Sequence, residues 1–229
     1  MPANPALVEA VRKQLQARAD PVRAAGQQAY MKSSMPYRGV VSAGVREVAR
    51  AVLAAHPLTG FDDWRDTLLA LWRDATHREE RYVALALAGD RRHLVHQVPA
   101  ALPMYEEMVV TGAWWDYVDD IAVHRLGPML VSHPRRLKPL MRRWSREPDM
   151  WKRRSAIICQ VSRQVPTEFD LLVECIEPNL ADRDFFIRKA IGWALRAEAW
   201  SNPDAVRAYV DANQERLSGL SRREAIKNL

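Results

Sequence analysis

The sequence predicts an all-α chain of stacked antiparallel helix pairs, in the manner of an α-solenoid. Three observations predict it. Apolar residues recur at helical spacing nearly end to end, prolines fall between the recurrences, and no stretch alternates with period two or carries an Asn-Gly or Asp-Gly hairpin turn.

Taken in order, Leu7, Val11 and Leu15 follow i, i+4, i+8 and mark a first helix. Val45, Val48, Ala49 and Val52 mark the next, and Trp64, Leu68, Leu69 and Trp72 a third. Similar stripes run through 77–89, 100–111, 114–126, 135–146, 150–164, 167–176, 184–199 and 203–215. Pro57, Pro99, Pro134, Pro148, Pro166, Pro178 and Pro203 separate them, each lacking the donor that a helix interior needs. Asp149, Thr167 and Asp204 stand where helices should start. Pro128 and Pro139 fall inside stripes, which predicts a break after Gly127 and either a helix start or a kink near Pro139. Many short helices with short connections suggest repeated pairs; no strict sequence repeat is visible, and a compact irregular helical bundle is the alternative.

The net charge is +6, which suits a nucleic acid, an anionic surface or an acidic protein. It is unevenly spread. Arg135, Arg136, Lys138, Arg142, Arg143, Arg146, Lys152, Arg153 and Arg154 lie in one window whose only acids are Glu147 and Asp149. That window carries +7 and the remaining chain sums to −1. A basic concave face would suit a rod-like polyanion. No apolar run is long enough to span a bilayer, and Met1 to Ala19 lacks the apolar core of a secretory signal. Cys159 and Cys175 read as buried thiols of a reducing compartment. His93 and His96 lack the further ligands a metal site needs, and no glycine-rich nucleotide loop or serine-hydrolase motif occurs. Glu79 and Glu80 read as a solvated helix face.

Four segments could carry chemistry. In 113–125, Trp115 and Asp119 lie one helical turn apart at the edge of a core stripe: an active-site pair, or a packed ring beside a solvated acid. In 149–161, Arg154 sits on the face shared by Met150 and Ile157. A buried guanidinium there needs a carboxylate or phosphate, unless its stem is covered and its head reaches water. In 184–199, small residues flank Trp193, leaving its ring open to a ligand or letting another helix pack closely. The segment 30–39, a helix end followed by a proline-containing turn, offers Lys32, Ser33, Ser34 and Arg38 to phosphates, as any polar turn could.

Together, YMKSSMPYRGV (30–40), TGAWWDYVDDIA (111–122), MWKRRSAIICQ (150–160), FFIRKAIGWALR (185–196) and SRREAIKNL (221–229) resemble the AlkD-type DNA alkylation-repair glycosylases. The resemblance follows the same order over nearly the full chain, which implies a single domain over 1–229. Met35 and Tyr37 depart from the phenylalanines common in the turn, and 86–104 matches poorly. The resemblance implies a solenoid of HEAT-like helix pairs with a basic concave groove for duplex DNA. It further implies a monofunctional glycosylase that removes cationic N3- and N7-alkylated purines, leaves an abasic site, and needs neither metal nor cofactor. Its catalytic carboxylate falls on Asp119, its groove-lining tryptophans on Trp115 and Trp193, and the arginine beside them on Arg154. Tyr30, Lys32, Arg38, Arg153, Arg154, Arg188 and Lys189 are the DNA-contacting residues expected with it. A monomer in the cytoplasm, associated with the nucleoid, is the corresponding state. The rival is a non-catalytic helical-repeat adaptor, which has no reason to keep Trp115, Asp119, Arg154 and Trp193 together. A helix–hairpin–helix glycosylase is disfavoured by the absence of its Gly-x-Gly hairpin.

Overall fold

The computed structural model describes residues 3–162 and 167–229, and every described element is helical. Pro166, and the part of the 150–164 stripe beyond residue 162, lie outside the described residues. Contacts gather the chain into two compact units, Met1–Gln97 and Val98–Leu229.

The first unit holds α1 (Pro5–Gln16), α2 (Pro21–Met31), α3 (Ser42–Ala55), α4 (Gly60–Arg73) and α5 (Arg78–Ala88). α1 starts cleanly because Asn4 accepts the Leu7 N–H at 3.0 Å and Pro5 occupies the first turn, where no donor is missed. The apolar stripes of α1, α3, α4 and α5 meet in a core containing Leu7, Leu15, Val48, Trp64, Trp72 and Leu87. The helix end read at Tyr30 is the end of α2, whose remaining length carries no apolar stripe in the sequence. α2 buries only Met31; Asp20 caps it and Lys32 ends it in the left-handed conformation (φ 48°).

Glu79 and Glu80 are not a solvated face: both are fully buried. Glu79 accepts the backbone N–H groups of Arg38, Gly39 and Val40 at 2.9–3.1 Å, fixing the chain that follows the 30–39 turn. Gly39 is required there. Its φ is +84°, and a β-carbon would stand 2.1 Å from the Asp20 carbonyl oxygen. Glu80 takes Arg12 at 3.0 Å, Arg38 at 2.8 Å and Thr76 at 2.9 Å. Burial alone would raise its pKa, but these partners hold it below the usual range. At Tyr37 the hydroxyl sits 2.8 Å from that of Tyr82, giving the buried ring's polar end a partner.

The second unit holds α6 (Leu102–Gly112), α7 (Trp115–Ile121), α8 (Gly127–Ser132), α9 (Pro134–Trp144) and α10 (Met150–Ile158). It continues with α11 (Phe169–Ile176), α12 (Phe185–Glu198), α13 (Pro203–Ala212) and α14 (Gly219–Ala225). α7 packs on α10, α10 on α12 and α12 on α14, while α9 packs on α11: the contact pattern of stacked helix pairs. Tyr105, Tyr117, Met141, Trp144 and Ile157 fill the core.

The break expected after Gly127 does not occur. A π turn over Ala122–Leu126 joins α7 directly to α8, and its wider spacing accommodates Pro128 without ending the helical path. Pro139 lies inside α9, so no helix starts there. Asp149 caps α10 by accepting the Lys152 N–H at 2.9 Å. Thr167 and Asp204 are not caps: Glu168 precedes α11, and Asn202 precedes α13 with Asp204 in its first turn. Cys159 and Cys175 are buried, and burial pushes both thiols up, Cys175 to about 12. No described helix is long and apolar enough to cross a membrane.

Candidate active site

Three neighbouring helices of the second unit, α7, α10 and α12, bring Asp119, Arg154 and Trp193 to one place. Arg154 is only 5% exposed, as an arginine on an apolar face can be only if paired. Its Nε donates to Asp119 Oδ1 and its Nη2 to Asp119 Oδ2, both at 2.7 Å. Its remaining arm, Nη1, donates to the Phe186 carbonyl oxygen at 2.6 Å and so ties the pair to the first turn of α12. Trp114, Trp151 and Phe186 pack around this point, with ring centroids 5.1–6.2 Å apart. That aromatic cluster keeps water from the guanidinium and strengthens its bond to the carboxylate.

Asp119 is less enclosed than its partner and lines a cleft of about 700 Å³. Burial pushes its carboxyl above the usual range, and the negative charge of Asp116 adds to this; the Arg154 fork pulls the other way. Two guanidinium N–H groups, one on each oxygen, favour the ionised form. The cleft therefore presents a fixed, partly desolvated carboxylate.

Trp193, Arg196 and Trp200 reach the same cleft from α12 and the turn after it, and Asp120 and His124 from α7 and its π turn. Trp193 is half-buried and Trp200 is 63% exposed. Arg196, Trp200 and His124 were not singled out from the sequence. Trp193, Arg196 and Trp200 stand at i, i+3 and i+7, a spacing that could have revealed the first two of these; nothing local marks His124.

Trp115 is the first residue of α7, one turn before Asp119 and 36% exposed, and it is not among the residues lining the cleft. Arg153 donates to the carbonyls of Glu147 and Pro148 and pairs with Asp182 at 2.9 Å. Arg188 is half-buried against the Asp184 carbonyl, and Lys189 pairs with Glu224 at 2.9 Å. In the first unit, Tyr30 is 80% exposed and Lys32 is exposed, whereas Arg38 is turned inward onto Glu80.

The basic window is largely neutralised in space. Lys138 meets Glu168, Arg142 meets Glu174, Arg143 meets Glu147 and Lys152 meets Glu106, in addition to Arg153 with Asp182 and Arg154 with Asp119. Arg135, Arg136 and Arg146 are exposed and form no ion pair among the described residues.

Comparison with known proteins bears on the whole chain. No curated protein matches it. Among solved structures it is similar to a predicted DNA alkylation repair enzyme from Enterococcus faecalis, with 27% identity, a TM-score of 0.83, and coverage of 93% of this chain and 97% of that one. The family model described as DNA alkylation repair enzyme matches residues 11–229, which takes in both units and every residue of the cleft. With its carboxylate, arginine and tryptophan set on neighbouring helices of that matched span, the chain belongs to the DNA alkylation repair enzyme family.

Proposed function

We propose that this protein is a monofunctional DNA glycosylase that hydrolyses the N-glycosidic bond of cationic N3- and N7-alkylated purines in duplex DNA. The observation that carries this reading is the Asp119 carboxylate, locked by the Arg154 fork and facing a cleft that Trp193 also lines. We read the two compact units as one functional domain, because the family match runs across both.

A purine alkylated at N3 or N7 carries a positive charge and leaves readily. The C1′–N bond breaks with its electron pair going to the base, which departs neutral and leaves an oxocarbenium-like sugar. Asp119 stabilises that cation electrostatically and orients the water that attacks C1′, accepting its proton. The roles parallel those of carboxylates in glycoside hydrolysis. The π face of Trp193 favours the developing positive charge by about 0.5–2 kcal/mol, and Trp115, one turn before Asp119 on α7, holds the DNA beside the cleft. No lysine is among the described residues lining the cleft, which favours water as the nucleophile and an abasic site as the product. Arg154 acts as a positioning residue. Three of its five donors go to Asp119 and Phe186 and the side chain is buried, which favours a carboxylate-holding role over a phosphate contact in this reading.

The experiment is base release. Purified protein, without added metal, is incubated with duplex DNA containing N7-methylguanine or N3-methyladenine, and free base is measured by chromatography. Release by the wild type, lost in Asp119→Asn while duplex binding persists, is the expected result. Normal turnover by Asp119→Asn would remove Asp119 from the chemistry. No release with tight duplex binding would favour a non-catalytic nucleic-acid adaptor.

A further inference from the structure

We propose that Glu224 organises Lys189, Arg196 and Lys227 into a phosphodiester-binding cluster beside the cleft; this rests on the DNA reading above and extends it to residues outside the catalytic set. Glu224 is buried on α14. Its Oε1 accepts from Lys189 Nζ at 2.9 Å and from Lys227 Nζ at 2.6 Å, and its Oε2 from Arg196 Nη1 at 2.6 Å. Three cations on one carboxylate leave two positive charges uncompensated. Each ammonium has three donors, and the lysine side chains remain 40% and 52% exposed, so donors are left for an anion from solvent.

The platform beneath them is fixed. Gly192 allows α14 to touch α12, since a β-carbon there would lie 2.5 Å from Glu224 Cβ and 2.8 Å from the Ser221 carbonyl oxygen. Ser221 Oγ donates to the Arg188 carbonyl at 2.9 Å and Asn228 Nδ2 to the Arg196 carbonyl at 3.1 Å. Arg196 and Asn228 also line the cleft, so the cluster borders the space into which Asp119 faces.

A staple between two helices would explain one ion pair, Glu224 with Arg196 or with Lys189. It does not explain Lys227, which lies three residues after Glu224 on the same segment and bridges nothing to α12. A surplus of cations pre-ordered by a buried carboxylate is what recognition of a phosphate needs: several donors held in place before the ligand arrives.

The test is fluorescence anisotropy with a labelled undamaged duplex across a salt series. Lys227→Gln, a surface change that leaves the helix contacts intact, should weaken binding several-fold and lower the slope of log K against log salt by about 0.9. Glu224→Gln distinguishes organisation from charge counting. It adds one net positive charge, so counting alone predicts tighter binding, whereas loss of an organised cluster predicts weaker binding. Unchanged affinity and slope in Lys227→Gln, or tighter binding by a folded Glu224→Gln, would overturn the proposal. Should Glu224→Gln fail to fold, Lys227→Gln decides alone. If the wild type releases no alkylated base but Lys227→Gln still weakens duplex binding, the glycosylase reading falls and the cluster stands. If the wild type binds no duplex, both fall.

Discussion

Arg154 grips Asp119 along one edge of its guanidinium, Nε to Oδ1 and Nη2 to Oδ2, both at 2.7 Å. Two parallel bonds fix the plane of the carboxylate as well as its place, which one lysine ammonium cannot do. Their third companion, the bond from Nη1 to Phe186, means that α7, α10 and α12 share a single polar junction.

Arg154→Lys should therefore keep the charge and lose the orientation. Base release should drop at least tenfold at saturating DNA, with a smaller effect on duplex affinity, because a displaced carboxylate fails at the transition state rather than in binding. Arg154→Gln should lower stability by about 3 kcal/mol, since it leaves a mostly buried carboxylate without its counter-charge. It should also move the acid limb of the pH–rate profile to higher pH, because the influence holding Asp119 down is removed while burial remains. An acid limb that stays in place in Arg154→Gln would mean that Asp119 is not the group titrating.

Acid stability should divide by sign. Glu80 and Glu224 have folded pKa values below the ordinary value of 4.5, Glu224 at about 2 through Lys227, Lys189 and Arg196. Their contributions are complete above pH 4.5 and are lost as pH falls towards 2. Asp119 has the opposite sign: its raised folded value makes stability fall as pH rises through that value. Thermal midpoints should thus decline steeply below pH 4.5, and Glu224→Gln should flatten part of that decline. A mutant profile parallel to the wild type would show that the ion cluster adds nothing to stability.

Glu79→Gln tests the anchor of the first unit. The carboxylate accepts three backbone N–H groups, and a glutamine amide would turn its own N–H₂ towards at least one of them. A loss of about 3 kcal/mol is expected, from charge-assisted bonds weakened and a buried donor left unmet. Urea unfolding checks it, and a loss under about 0.5 kcal/mol would mean the turn has another support.

Salt dependence should single out the unpaired arginines. Arg135→Ala with Arg136→Ala should lower the slope of duplex binding by nearly two, about 0.9 per phosphate contact. Arg142→Ala should change it less, because Arg142 bonds Glu174 at 2.6 Å and removing it frees an acid. Equal slopes for both mutants would show that ion pairing within the protein does not govern which cations meet DNA.

Strong apolar stripes were legible: α1, α3, α4, α5 and α12 fall where the periodicity puts them, because burial of one face fixes a helix. Of α2 only the end near Tyr30 was legible, because capping by Asp20 and a proline start hold the rest with little buried surface. At the site, the sequence left Arg154 open between pairing with a carboxylate or phosphate and reaching water with its head. The choice of Asp119, 35 residues away, is made by the packing of α7 on α10. The same limit applies to charge. A window of +7 reads as a binding face, yet Glu106, Glu168, Glu174 and Asp182 come from other elements to pair with it. Buried Glu79 and Glu80 look like surface acids in sequence because their partners lie on segments distant in the chain.

Gly192→Ala probes whether the cleft depends on how closely α14 approaches α12. The added methyl would meet Glu224 Cβ at 2.5 Å and backbone of Ser221 at 2.8 Å, and backbone cannot yield by a side-chain rotation. α14 must shift outward, costing about 1–3 kcal/mol. With it go the Ser221 bond to Arg188, the Glu224 cluster and the Asn228 bond to Arg196. Limited proteolysis should then cut within residues 213–229 far sooner than in the wild type, and base release should fall because Trp193 follows Gly192 directly. The partners that hold Asp119, Arg154 on α10 and through it Phe186 in the first turn of α12, form no hydrogen bond or ion pair with α14, so the acid limb of the pH–rate profile should stay where it is. A shifted limb would mean instead that the carboxylate's environment is set by the C-terminal segment as well as by Arg154.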